Sequence, residues 1–174
     1  MKKNLFMELE SKMVQKEVIE FKMTNGQTER FSMDKKFLNT KISEMLFEYV
    51  DIIAYAKENN ILQDVISILG VLLVKYFVRQ IHNEKEVEIF KPEKTVKSSF
   101  ETLIATNSAL ANIEGVDGRS LLEVFMAKFN ENDDSMKLLQ EKIKEIATNV
   151  VNNKEDIIRM VEQLNKVGEE NETV

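Results

Sequence analysis

Few residues in this 174-residue chain have the types and spacing that chemistry needs, and each candidate has a competing structural role. The single histidine, His82, stands close to Glu84 and Glu86, an arrangement that suits a general base held by a carboxylate. Its competing role is that of an ordinary residue at a helix C-terminus, where the dipole favours it. Ser32-Met33-Asp34-Lys35 matches Ser-x-x-Lys, in which a lysine activates a serine nucleophile. The alternating residues around Ser32, however, place it on the polar edge of a strand. Asn130-Glu131-Asn132-Asp133-Asp134 with Glu141 has the length of a calcium loop. Ser135 stands where that loop needs glycine and Leu138 where it needs a ligand, so the cluster reads as a solvated helix start. Asp64 is the carboxylate in the most apolar context, and it suits the first turn of a helix.

Composition removes most other chemistries. With no cysteine there is no thiol nucleophile, disulfide, iron–sulfur cluster or thiolate zinc site, and one histidine makes no His-pair metal centre. The five glycines show neither G-x-G-x-x-G nor Walker spacing. We therefore expect no catalytic residue, no metal, no cofactor and no enzymatic activity. Apolar residues make up 43% of the chain, enough for a real core.

The net charge of −6 has the wrong sign for a dedicated nucleic-acid binder, and no basic run is interleaved with aromatics. All of that excess lies after residue 112, where eight basic side chains face fourteen acidic ones. Near the N-terminus, Glu8, Glu10 and Lys12 interrupt what would otherwise open like a signal peptide. The longest charge-free part of the apolar segment 61–81, Val65 to Val74, is far short of the ~20 residues a bilayer requires. The expectation is a cytoplasmic protein without membrane or direct nucleic-acid contact.

Several elements are legible by period. Leu5, Phe6, Leu9 and Met13 predict a short amphipathic helix. Ile19, Phe21 and Met23, then Asn25-Gly26, then Phe31 and Met33 predict a β-hairpin. A three-residue loop, Thr24-Asn25-Gly26 with Gly26 left-handed, pairs Ile19 with Phe31 on the apolar face, so that odd register is expected. Asp34 is expected to cap a helix over 34–58 whose stripe is Ile42, Met45, Leu46, Tyr49, Val50, Ile53 and Ala56. A second helix over 61–82 is apolar nearly all round its middle. It is either central to the fold or partly covered by another chain. Gly70 within it suggests close approach of a neighbouring helix. Val87 and Ile89 suggest a third strand, and Lys91-Pro92 a boundary. Beyond it, Val96 to Leu110 and Leu121 to Phe129 predict two helices around a turn at Gly115-Val116-Asp117-Gly118.

The sharpest pattern lies at the C-terminal end. Met136, Leu139, Ile143, Ile146, Val150, Asn153, Ile157, Met160, Leu164 and Val167 are separated by steps of three and four, a heptad seam with one polar break. As one helix it would span about 48 Å and favour a supercoiled partner. A break at Asn152-Asn153-Lys154 would instead give a helical hairpin with similar stripes.

The hairpin around Asn25-Gly26 followed by a helical body with Gly70-Val71-Leu72-Leu73-Val74-Lys75-Tyr76-Phe77 resembles the small tail-assembly chaperones of tailed bacteriophages, over roughly residues 18–80. That resemblance implies a non-enzymatic protein of a bacterial host cell that shields a long apolar helical partner, the tape-measure protein, during assembly. The expected fold class is mainly α with a small antiparallel β-hairpin (α+β), in two lobes, 1–92 and 93–174, the second ending in the heptad helix. The expected function is a chaperone-like or assembly factor that binds protein partners and forms homo-oligomers. Its interface is expected at the heptad seam and at Leu73 and Phe77. The alternative is a mobile-element inhibitor or adaptor that binds a host nucleic-acid-processing enzyme through an acidic surface.

Overall fold

The computed structural model of the protein describes residues 15–61 and 65–149, with side chains over 15–61 and 67–143. The expected N-terminal amphipathic helix, Asp64 and the seam from Val150 onward lie outside the described residues. Among those residues the fold is α+β, with five helices and one four-stranded antiparallel sheet. In chain order the elements are β1 (Lys16–Lys22), β2 (Thr28–Asp34), α1 (Asn39–Glu58), α2 (Val65–Phe77), β3 (Val78–His82), β4 (Lys85–Glu88), α3 (Val96–Asn112), α4 (Leu121–Asn130) and α5 (Asp133–Asn149).

The hairpin has the odd register. Ile19 faces Phe31, Lys22 faces Thr28, and the Met23 N–H donates to the Gln27 carbonyl at 2.8 Å. Gly26 takes φ 86°, a conformation that side chains with a Cβ rarely adopt. The hairpin is only half of the sheet, because β3 pairs with β2 and β4 with β3.

That extension corrects the 61–82 helix. It ends at Phe77, and Val78–His82 is a strand. The turn that follows puts Asn83 and Glu84 at φ 48° and 60°, as a two-residue hairpin turn demands, although neither is glycine. Val87 lies in β4, while Ile89 falls beyond the strand. Asp34 does not cap α1. It ends β2, buried, with its carboxylate 2.8 Å from the Lys41 ammonium, and the N-cap is Leu38 without a side-chain bond. The α3 and α4 starts carry reciprocal capping boxes, Thr95 with Ser98 and Ser120 with Glu123.

The helix α2 is the centre of the molecule. Ile68, Leu69, Val71, Leu72, Leu73, Val74 and Phe77 are all buried by their own chain, which settles why it has no polar face. One hydrophobic core runs from Ile19 in β1 to Ile143 in α5. Phe37, just before α1, stacks on Phe77 at 3.9 Å between centroids and meets Phe129 edge-on. Phe125 meets Phe31 on the inner face of the sheet. Gly70 faces the neighbouring helix α4, which reaches it through a side chain. What approaches it is a flexible thioether, Met126, whose sulfur would lie 3.2 Å from an added Cβ. The outer face of the sheet carries ion pairs between strands, including Lys16 with Glu86 and Arg79 with Glu88.

Candidate functional site

A cleft of about 640 Å³ opens between α1, the α2–β3 junction and the 89–95 segment. Charges of both signs line each side: Lys41, Glu44, Glu48 and Asp51 from α1, and Lys91, Glu93 and Lys94 from the facing segment. Ile52 and Phe90 supply apolar surface. At the bottom, the Glu48 carboxylate accepts from the Lys75 ammonium at 2.6 and 2.8 Å, from the Tyr76 hydroxyl at 2.8 Å and from the Ser99 hydroxyl at 2.5 Å. Three helices meet in this one carboxylate.

The electrostatics follow from that geometry. Burial works to raise the Glu48 pKa, but the bonds from Lys75, Ser99 and Tyr76 together outweigh it and hold the group below the ordinary carboxylate value. Burial and the adjacent Glu48 charge push the Tyr76 phenol well above its usual value. A charged carboxylate with four bonds to it is a poor proton acceptor, and a phenol held neutral is a poor nucleophile. The network therefore suits a structural clamp better than acid–base work.

The second feature is the outward face of α1. Ser43, Phe47, Val50 and Ala54 follow one another at steps of four, three and four, which sets them in one row on the helix. The Phe47 side chain is 71% exposed, and the row is bordered by the exposed acids Glu44, Asp51 and Glu58. A phenyl ring left in water forgoes the stabilisation that burial brings, about 2 kcal/mol.

The residues singled out by sequence chemistry are not brought together. Exposed His82 ends β3 opposite Lys85. Buried Ser32 donates to Glu86 at 2.6 Å rather than approaching Lys35. Lys16 and Ser32 hold the Glu86 carboxyl below its usual value. Asp133 and Asp134 occupy the first turn of α5, and the Asn132 amide donates to the Lys35 carbonyl. Among the described residues, no group of three His, Cys, Asp or Glu side chains is placed to hold a metal ion.

The expected interface residues are placed as follows. Leu73, Phe77, Met136, Leu139 and Ile143 are buried in the chain's own core, so at these five positions the surface that covers them is intramolecular. Ile146 lies in α5 beyond the described side chains; Val150, Asn153, Ile157, Met160, Leu164 and Val167 lie outside the described residues. Sequence reasoning missed Glu48 and Phe47. The signal for the first was Lys75, a charge inside the most apolar helix, which demanded a partner. The signal for the second was Phe47 itself, off the periodic stripe of α1. Among the described residues, no helix is long and apolar enough to cross a membrane. No protein-family model, curated protein or solved structure matches the chain.

Proposed function

We propose that the chain is a non-enzymatic protein-binding factor of the chaperone or assembly kind, which docks an apolar helical segment of a partner on the Phe47 row of α1. The observation that carries this reading is Phe47 itself, a large aromatic presented to solvent from a rigid helix. Exposed aromatics beside half-buried aliphatics are the usual anchors of helix-in-groove recognition. The Glu48 clamp supports it from behind, because it fixes α1 against α2 and α3 and so keeps the row in one geometry. In the reading that the tail-assembly resemblance supplies, the partner is a tape-measure protein and the setting is the bacterial cytoplasm. Self-association through the heptad seam belongs to the same proposal.

The test compares wild type with Phe47→Asp as baits in the native host. A partner retained by wild type and lost by a variant with an unchanged melting profile supports the reading. Equal retention removes it. The acidic-adaptor alternative draws on Glu44, Asp51 and Glu58 beside the same row, and it predicts retention that collapses as salt rises from low to high concentration. Retention that survives salt favours the apolar reading.

A further inference from the structure

The outward face of α1 is marked by charge as well as by Phe47. Glu44, Asp51 and Glu58 follow one another at steps of seven, so they stand in one line, about 10 Å apart, along one flank of the Phe47 row. All three are exposed, and none makes a hydrogen bond or ion pair with another described residue. Other surface acids hold a base: Glu17 has Lys128, Glu84 has Arg30 and Glu88 has Arg79. The two bases of α1 do not serve the line. Lys41 lies on the cleft side, 2.8 Å from Asp34, and Lys57 stands on the opposite flank, beyond Val50. Lys91 and Lys94, which share the cleft with Glu44 and Asp51, form no ion pair with them.

A second copy of this face answers the line poorly. In an antiparallel pair the same flanks meet, so Glu44 would oppose Glu58 of the copy and Asp51 its own counterpart, while Lys57 would face the Ser43 end. In a parallel pair Lys57 would reach Glu58 of the copy and leave Glu44 and Asp51 unanswered. A foreign helix with bases at the same seven-residue step answers all three acids at once. It also fits the row. Ser43, Val50 and Ala54 are short side chains, so a helix can approach closely on either side of the Phe47 ring.

We infer that the partner of the Phe47 row is a basic amphipathic helix, its apolar row lying on Phe47, Val50 and Ala54 and its Lys or Arg residues, spaced by seven, meeting Glu44, Asp51 and Glu58. The inference rests on the proposed docking function and adds to it the charge and spacing of the partner. The acids steer the encounter and fix its register, while the apolar contact holds the complex, so salt weakens binding without abolishing it.

The probes are synthetic peptides of about eighteen residues, long enough to hold a helix, with a leucine row and, at every seventh position of one flank, lysine, glutamine or glutamate. Binding to the full chain is read by fluorescence anisotropy. The lysine peptide is expected to bind wild type at least about tenfold more tightly than the glutamine peptide. The reversed chain, Glu44→Lys with Asp51→Lys and Glu58→Lys, should prefer the glutamate peptide instead. The milder Asp51→Lys alone should weaken the lysine peptide at least about threefold, whereas Glu101→Lys on α3, an equal change in net charge, should alter it less than about twofold. Equal affinity of the lysine and glutamine peptides, or equal effects of Asp51→Lys and Glu101→Lys, would overturn the inference and leave docking on Phe47 standing. No binding by any peptide, or undiminished binding to Phe47→Asp, would overturn the docking function and the inference with it. Sedimentation showing a wild-type dimer that Phe47→Asp dissolves would assign the face to a second copy and overturn the inference as well.

Discussion

Lys75, from the most apolar helix of the molecule, reaches both carboxylate oxygens of Glu48 on the neighbouring helix, at 2.6 and 2.8 Å. Their side chains are 21% and 18% exposed, so this pair is neither a surface ornament nor fully dry. Removing one member would leave the other partly desolvated without its counter-charge, which is the costly way to break such a pair.

Glu48→Gln should therefore lower stability at neutral pH by about 2 kcal/mol, or roughly 4–8 °C in melting temperature for a chain of this size. The pH dependence has a definite sign. A carboxyl whose folded pKa is depressed contributes stability that is complete above its unfolded pKa and is lost as pH falls through the folded value. Wild type should thus lose its advantage over the variant as pH drops below about 4.3. Thermal melts of both proteins from neutral to acidic pH check this; parallel curves would contradict it.

Two glycines should respond in opposite directions to alanine. At Gly70 the new methyl would press on the Met126 thioether, which can swing aside, while the helix gains intrinsic propensity. Gly70→Ala should stabilise by about 0.5–1 kcal/mol. At Gly115 the methyl would lie 3.0 Å from the Phe21 ring, which is buried in the sheet core and cannot yield as cheaply. Gly115→Ala should destabilise by about 1–3 kcal/mol. Denaturant titration of the two variants measures both signs.

Two phenylalanines on neighbouring helices should separate packing from recognition. Phe77→Ala removes a stacked ring from the centre of the core and should cost about 3–5 kcal/mol. Phe47→Asp changes an exposed side chain and should stay within about 1 kcal/mol of wild type. Equal losses in chemical denaturation would mean that the Phe47 row is structural.

The heptad seam should divide between its two ends. Ile143→Asp places a charge in the core and should unfold α5 or the whole chain, read by circular dichroism. Ile157→Asp should leave the fold intact and reduce the assembly state in sedimentation. An unchanged assembly state there would remove the self-association proposal.

The hairpin register was legible because a one-residue slip would have turned Ile19 or Phe31 to the polar face, and only an odd loop avoids that. Most of the α1 stripe was legible too: six of its seven expected residues are buried, a period that burial enforces; the seventh, Val50, lies on the outward row, and Ile52 is buried in its stead. The end of α2 was not. Val71 to Val78 is apolar at almost every position, and such a run has the composition of a buried helix or of a buried strand. The turn that decides it, Asn83-Glu84, lacks the glycine that would have announced it. The Glu48 clamp was hidden because its members come from three helices, and sequence spacing carries no record of which helices meet. Leu73 and Phe77 are buried in the chain's own core, and hydrophobicity alone does not tell such a core from a contact surface.

The open edge at β4 has a consequence for how copies of this protein meet. Antiparallel pairing of two such edges, with the outer face continuing across the junction, allows only registers whose paired residue numbers have an even sum. Across those registers Glu86 meets Glu86, Glu86 meets Glu88, Glu88 meets Glu88, or Lys85 meets Lys85. Like charges therefore face each other at each in-phase alignment of two β4 edges, which weakens that pairing.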